Sequence, residues 1–149
     1  IADSHQSPFN VGTNLFLKDF DQEQIQEMNV RHGSPLAGRE FEELAELFGG
    51  HPFLTRKALY LLVADGQSWQ ELKAMAANED GPFGDHLRRY RWMIQQDAGL
   101  KEALKSIIKH NRCPDEMIHR LMQAGLVKGA GDVVKCRCGL YLAYFADKL

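Results

Sequence analysis

Three sets of residues in this sequence are of types that could do chemistry. Cys113, Cys136 and Cys138, with His110 and His119, are the types that bind zinc. Structural zinc sites present two close ligand pairs, often as C-x2-C. Here one close pair, Cys136-x-Cys138, stands with one distant cysteine, so the pattern predicts free thiols and no metal site. Asp80, Asp85 and His86 are near one another in sequence, but no nucleophile with a defined role accompanies them. The chain has no G-x-S-x-G, H-E-x-x-H or G-x-G-x-x-G stretch, no G-x-x-x-x-G-K-[ST] loop and no apolar strand ending in paired acids. The expectation is a chain that is not itself an enzyme. The third set is "GGHPFLTRKAL", residues 49–59. Two glycines end one helical pattern and Pro52 opens the next. That pivot is either a turn between helices or a place where backbone touches a ligand.

Helices must position these residues. Asp21 with Gln24 has the spacing of a capping box; Ile25 and Met28 then share a face, and Gly33 is the stop. Phe41, Leu44, Ala45 and Phe48 recur at i, i+3, i+4, i+7, the period of an amphipathic helix. Pro52 suits the first turn of the next helix, whose apolar stripe is Leu54, Ala58, Leu61 and Leu62. Ser68 with Glu71 is a second capping box. "NEDGPFGD" reads as a loop, and Asp85 as the cap of a helix that carries Leu87, Tyr90 and Ile94 on one face and Arg88, Arg89 and Arg91 among them. The last 50 residues read as helix ("LKEALKSIIKH"), helix ("CPDEMIHRLMQAG"), hairpin ("LVKGAGDVVKC", turning at Gly-Ala-Gly) and helix ("GLYLAYFADKL"). That order is compatible with a small winged-helix module whose core is Leu104, Ile107, Ile108, Ile118, Leu121, Leu126 and Val133.

The chain has 149 residues, of which 44% are hydrophobic and 26% charged, which is ordinary for a globular domain. No apolar run approaches the roughly 18 to 20 residues of a membrane span, and the start lacks the n-region and apolar core of a secretory signal. These features, with three clustered cysteines, predict a cytoplasmic protein without membrane contact. The absence of an initiator Met predicts a piece of a longer chain. The net charge of -2 hides an asymmetry. Residues 1–99 carry 9 Lys/Arg against 15 Asp/Glu, and residues 100–149 carry 9 against 5. That predicts two modules with different partners, or with each other as partners.

"SPFNVG", "DFDQEQIQEMNVRHG", "GGHPFLTRKALYLL", "DHLRRYRWMIQQD" and "RCGLYLAYF" occur in this order. Together they resemble the carboxyl-terminal half of the bacterial AAA-like domains common in cyanobacterial signalling and conflict proteins, relatives of the STAND class of signal-transducing P-loop ATPases. The resemblance implies a mainly α chain: residues 1–13 as a loop and the stub of an ATPase core, 14–98 as a helical lid, and 99–149 as a winged helix. It implies a regulatory segment that responds to nucleotide bound in a core this chain lacks. ATP or ADP with Mg would belong to that core and no cofactor to this chain. Partners would be the core itself and other protein domains.

The same resemblance places a Gly-x-Pro element beside bound adenine, matched here by Gly50, His51 and Pro52. Gly50 would let backbone approach a flat ring closely, and Pro52 would offer a rigid apolar face. Relatives of this class sense phosphate just before the last helix, usually through histidine. Here that place reads "CRCGL", so Arg137 would serve by charge. Arg88, Arg89 and Arg91 could likewise reach a phosphate, or form a solvated basic face. The rival reading is a DNA-binding winged-helix transcriptional regulator. His119, Arg120 and Gln123 would read bases or phosphates from the second helix of the pair, and Lys128 and Lys135 would flank the wing. Asp115 and Glu116 at the start of that helix argue against it. A third reading is a plain protein-interaction module.

Overall fold

The computed structural model describes residues 18–130 and 133–149. Among them are eight helices and one two-stranded antiparallel sheet, so the chain is mainly α. The order is α1 (Gln22–Arg31), α2 (Arg39–Phe48), α3 (Pro52–Ala64), α4 (Trp69–Met75), α5 (Gly84–Gln95), α6 (Ala98–His110), α7 (Asp115–Gln123), β1 (Val127–Ala130), β2 (Val133–Cys136) and α8 (Gly139–Lys148). The elements form two compact units: residues 18–84 with 138–140, and residues 85–137 with 141–149. The segment read as loop and core stub, 1–13, lies outside the described residues.

In the first unit the caps form as their sequence spacing requires. The Asp21 carboxylate accepts the Gln24 N–H at 2.8 Å, and the Gln24 side chain accepts the Asp21 N–H at 2.9 Å. Ser68 and Glu71 repeat the exchange at α4. Ile25, Leu44, Phe48, Leu54, Ala58, Leu59, Leu62, Trp69 and Leu72 build the core. Leu61 is only half-buried, and Thr55 and Leu59 are buried beside the expected stripe. Two buried residues lie outside the helical stripes read from the sequence. Buried Asn29 donates its side-chain amide to the Leu36 carbonyl at 2.8 Å and accepts the Leu36 N–H at 3.2 Å, which ties down the α1–α2 connection. Phe83, inside the stretch read as a loop, is buried 5.0 Å from the Phe48 ring. The Trp69 N–H donates to Glu43 at 2.9 Å, and Lys73 pairs with the same carboxylate at 2.8 Å, so α2 holds α4 through one acid.

In the second unit α6, α7 and the hairpin pack on one another. Asp97 caps α6 by accepting the Leu100 N–H at 3.0 Å. α7 ends in a Schellman motif: the Leu126 N–H reaches the Leu121 carbonyl and the Gly125 N–H the Met122 carbonyl, both at 3.0 Å. Leu121 and Leu126 are fully buried where that motif brings them together. The strands pair from Val127↔Cys136 to Ala130↔Val133, so Gly129 and Ala130 belong to the ladder and not to the turn. Asp85 lies in the first turn of α5, one residue inside the helix it was expected to cap, and pairs with Arg88. Tyr141 of α8 is fully buried, with its hydroxyl 2.8 Å from His86 Nε2 and its ring near those of Tyr90 and Phe145.

The expected core of this unit is partly as observed. Leu104, Ile107, Leu121 and Leu126 are buried, and Ile108 and Ile118 are half-buried. Val133 is 67% exposed, because the strand alternation turns Val134 and Cys136 inward and Val133 outward. Leu121→Ala should therefore lower stability by about 2–5 kcal/mol. Val133→Ala should stay within about 0.5 kcal/mol. Urea midpoints of the two variants beside the parent check both numbers.

Candidate functional site

The pivot of residues 49–52 lies in the first unit. Gly49 (φ 58°) and Gly50 (φ 75°) both adopt the left-handed region, which costs an L side chain about 1–2 kcal/mol. The first closes α2 and the second turns the chain into α3. Gly50 has a further constraint. A methyl group there would overlap the carbonyl oxygen of Phe20. The Phe20 N–H donates to the Gly50 carbonyl at 2.7 Å, so the residue just before the α1 cap is clasped to the pivot. The close approach that Gly50 permits is thus made to backbone of the same unit. His51 is the N-cap of α3, its Nδ1 accepting the Leu54 N–H at 3.4 Å. Pro52 follows at the first helical position, and both are buried. One turn on, the Thr55 hydroxyl is completely buried with no hydrogen-bond partner. An orphaned hydroxyl in a core is unfavourable unless something else meets it. The sequence held no signal for it beyond a Thr within an apolar stripe.

Arg137 is half-buried and directly follows β2. Its N–H donates to the Leu126 carbonyl at 2.9 Å and extends the hairpin ladder by one step. Its guanidinium donates to the Gly125 carbonyl at 3.4 Å, at the C-terminal end of α7. That is a long, weak bond, and one a stronger acceptor could displace.

On α7, His119 and Gln123 are exposed, as are Asp115 and Glu116 in its first turn. Arg120 pairs with Asp97, the cap of α6. The Leu100 N–H, and after it the Arg120 guanidinium, hold the Asp97 carboxyl below the usual aspartate range. The side chain best suited to read a base is therefore engaged in joining α6 to α7. Lys128 and Lys135 sit directly opposite each other across the hairpin. Like charges so placed repel. The three arginines of α5 separate: Arg88 and Arg89 are exposed, whereas Arg91 is half-buried with its Nε shielded from solvent.

None of the three cysteines is in a disulfide; Cys136 and Cys138 are buried, and burial with the nearby Asp115 charge pushes the Cys113 thiol up. Among the described residues no group of three or more His, Cys, Asp and Glu comes together to hold a metal. No helix there is long and apolar enough to cross a membrane.

A family model described as "AAA-like domain" matches residues 1–147. No curated protein and no solved structure matches the chain.

Two outcomes follow from this geometry. Gly50→Ala should destabilise more than Gly66→Ala. Both residues have positive φ, but Gly66 has open space and Gly50 meets Phe20. The control should cost about 1–2 kcal/mol and the pivot variant clearly more, read by thermal melting. For Asp97 the folded pKa is depressed, so its contribution is present above the unfolded value near 4 and is lost as pH falls through the folded one. Asp97→Asn keeps a good cap and removes the charge pair with Arg120. Melting temperature followed from pH 6 downward should fall less steeply below about pH 4 in that variant than in the parent.

Proposed function

The chain belongs to the AAA-like domain family, and from that premise we propose that it is a regulatory segment of an ATPase. In this reading it is a non-enzymatic lid, residues 14–98, and a winged helix, residues 99–149, that respond to nucleotide held by a core this chain does not contain. The observation that carries the reading is a family match across 1–147 in a sequence without a phosphate-binding loop. The succession of α6, α7, an antiparallel hairpin and α8 supports the winged helix. The second reading, a base-reading regulator, has the opposed Lys128 and Lys135 in its favour, but Arg120 engaged by Asp97 speaks against it.

The pivot suits a nucleotide on one observation: Thr55, buried and orphaned in the first turns of α3, has a hydroxyl to offer. Gly50, His51 and Pro52 would hold the base; Arg137, in the other unit, is a separate candidate for an anionic oxygen. The nucleotide would supply a planar ring and negative charge. The chain's own residues do the switching. Phe20 releases Gly50, which opens the backbone of the pivot. Arg137 exchanges the Gly125 carbonyl for a charged oxygen, a stronger acceptor. The change of packing between states is then a population shift set by differential affinity for ATP and ADP.

Two measurements test this. Calorimetry of the 149-residue chain with Mg-ATP should show no strong binding; micromolar affinity or turnover would contradict a core-less segment. In the protein that carries the core, Pro52→Ala should weaken ATP or ADP binding. Ser68→Ala, a cap loss of around 1 kcal/mol away from the pivot, should leave it unchanged. Equal affinity in the two variants would reduce the pivot to a turn.

A further inference from the structure

We propose that the exposed face of α5 binds single-stranded nucleic acid, with Trp92 as the stacking platform and Arg88 and Arg89 as phosphate contacts. This proposal does not depend on the nucleotide-response reading.

The two tryptophans of the chain differ sharply. Trp69 is 3% exposed and its N–H is satisfied by Glu43. Trp92 is 59% exposed; its carbonyl accepts the Gln96 N–H, while its indole has no hydrogen bond or ring contact among the described residues. α5 buries Leu87 and Ile94 and turns Arg88, Arg89, Trp92 and Gln95 to solvent. Arg88 and Arg89 stand four and three residues before Trp92, so all three share one helical face. Arg89 has no ion pair among the described residues. Arg88 pairs with Asp85, whose side chain is 92% exposed. Such a solvated pair contributes little to stability.

Asp85 in the first turn is the one acid of this face and pairs with Arg88; the rest of it is basic, amide or aromatic. Residues 86–96 contain no acid. Guanidinium and indole N–H groups only donate. A ligand must therefore bring acceptors, negative charge and a flat surface for the indole. Single-stranded nucleic acid brings all three, because its phosphates are anionic and its bases are unstacked. A duplex keeps its bases within the stack. An acidic peptide would satisfy the arginines and leave the indole face without a planar partner. The surrounding charge agrees: residues 85–137 with 141–149 carry 12 Lys/Arg against 7 Asp/Glu. The basic balance thus belongs to the unit that carries Trp92.

The test is tryptophan fluorescence of the 149-residue chain titrated with a short oligothymidylate at low salt. Buried Trp69, replaced by Phe in a second preparation, should contribute little to the change. Saturable quenching is expected. Trp92→Ala should lose affinity roughly tenfold and Trp92→Phe should keep most of it, since stacking needs a ring and not indole itself. Arg88→Gln with Arg89→Gln should lower affinity and flatten the salt dependence, by up to about 0.7 in slope for each phosphate that is no longer neutralised. Circular dichroism of each variant should match the parent. No quenching at low salt would overturn the proposal. So would equal affinity for duplex, equal displacement by polyglutamate, or parental affinity in Trp92→Ala.

Discussion

The clasp between Phe20 and Gly50 is the constraint on which the acidic unit depends. It joins Phe20, just before the α1 cap, to the turn between α2 and α3 by one backbone hydrogen bond of 2.7 Å. Only glycine tolerates both the left-handed conformation and the nearness of the Phe20 carbonyl. His51 and Pro52 then start α3 at a fixed angle, and the stripe from Leu54 to Leu62 can fill the core. A bond between two backbone groups resists most side-chain changes nearby, but it can be released as a unit. Its release opens no cavity, unlike the loss of a packed side chain.

Charge is partitioned along the same division as packing. Residues 18–84 with 138–140 carry 6 Lys/Arg against 12 Asp/Glu, while the second unit is basic. A boundary at residue 84, where the packing divides, sorts the charges more cleanly than one near residue 99, because Arg88, Arg89 and Arg91 fall with the basic unit. Within each unit a single acid joins two helices: Glu43 receives Trp69 and Lys73 of α4, and Asp97 caps α6 while holding Arg120 of α7. Both carboxyls are held below their usual range, Glu43 chiefly by the Lys73 hydrogen bond and then by Trp69. The basic unit thus retains its acid where a helix start needs one.

Local features of the fold were legible in the sequence. Capping boxes at Asp21 and Ser68, the stop at Gly125 and the start at Pro52 depend on residues within four positions of one another, and they formed where spacing placed them. What the sequence hid was long-range. Asn29 looks like a solvent-facing polar residue until Leu36 folds back on it. Phe83 looks like part of a loop because its partner, Phe48, is 35 positions away. The Asp97–Arg120 pair spans 23 residues, so Arg120 read as a free base-contacting side chain. Val133 was misplaced because a two-residue period says which residues share a face, but not which face turns inward. At the pivot, the types of Gly50 and Pro52 marked a special backbone. They could not reveal that Phe20 would fill the space beside it or that Thr55 would be left without a partner.

The central proposal is that, joined to an ATPase core, the pivot is clasped in one nucleotide state and released in the other. Amide hydrogen exchange at Phe20, whose N–H makes the clasp, tests this most directly. The account predicts faster exchange there with one of ATP and ADP than with the other, while Gln24 and Glu71, held by their caps, stay unchanged. The same protection of Phe20 in both nucleotide states would contradict it.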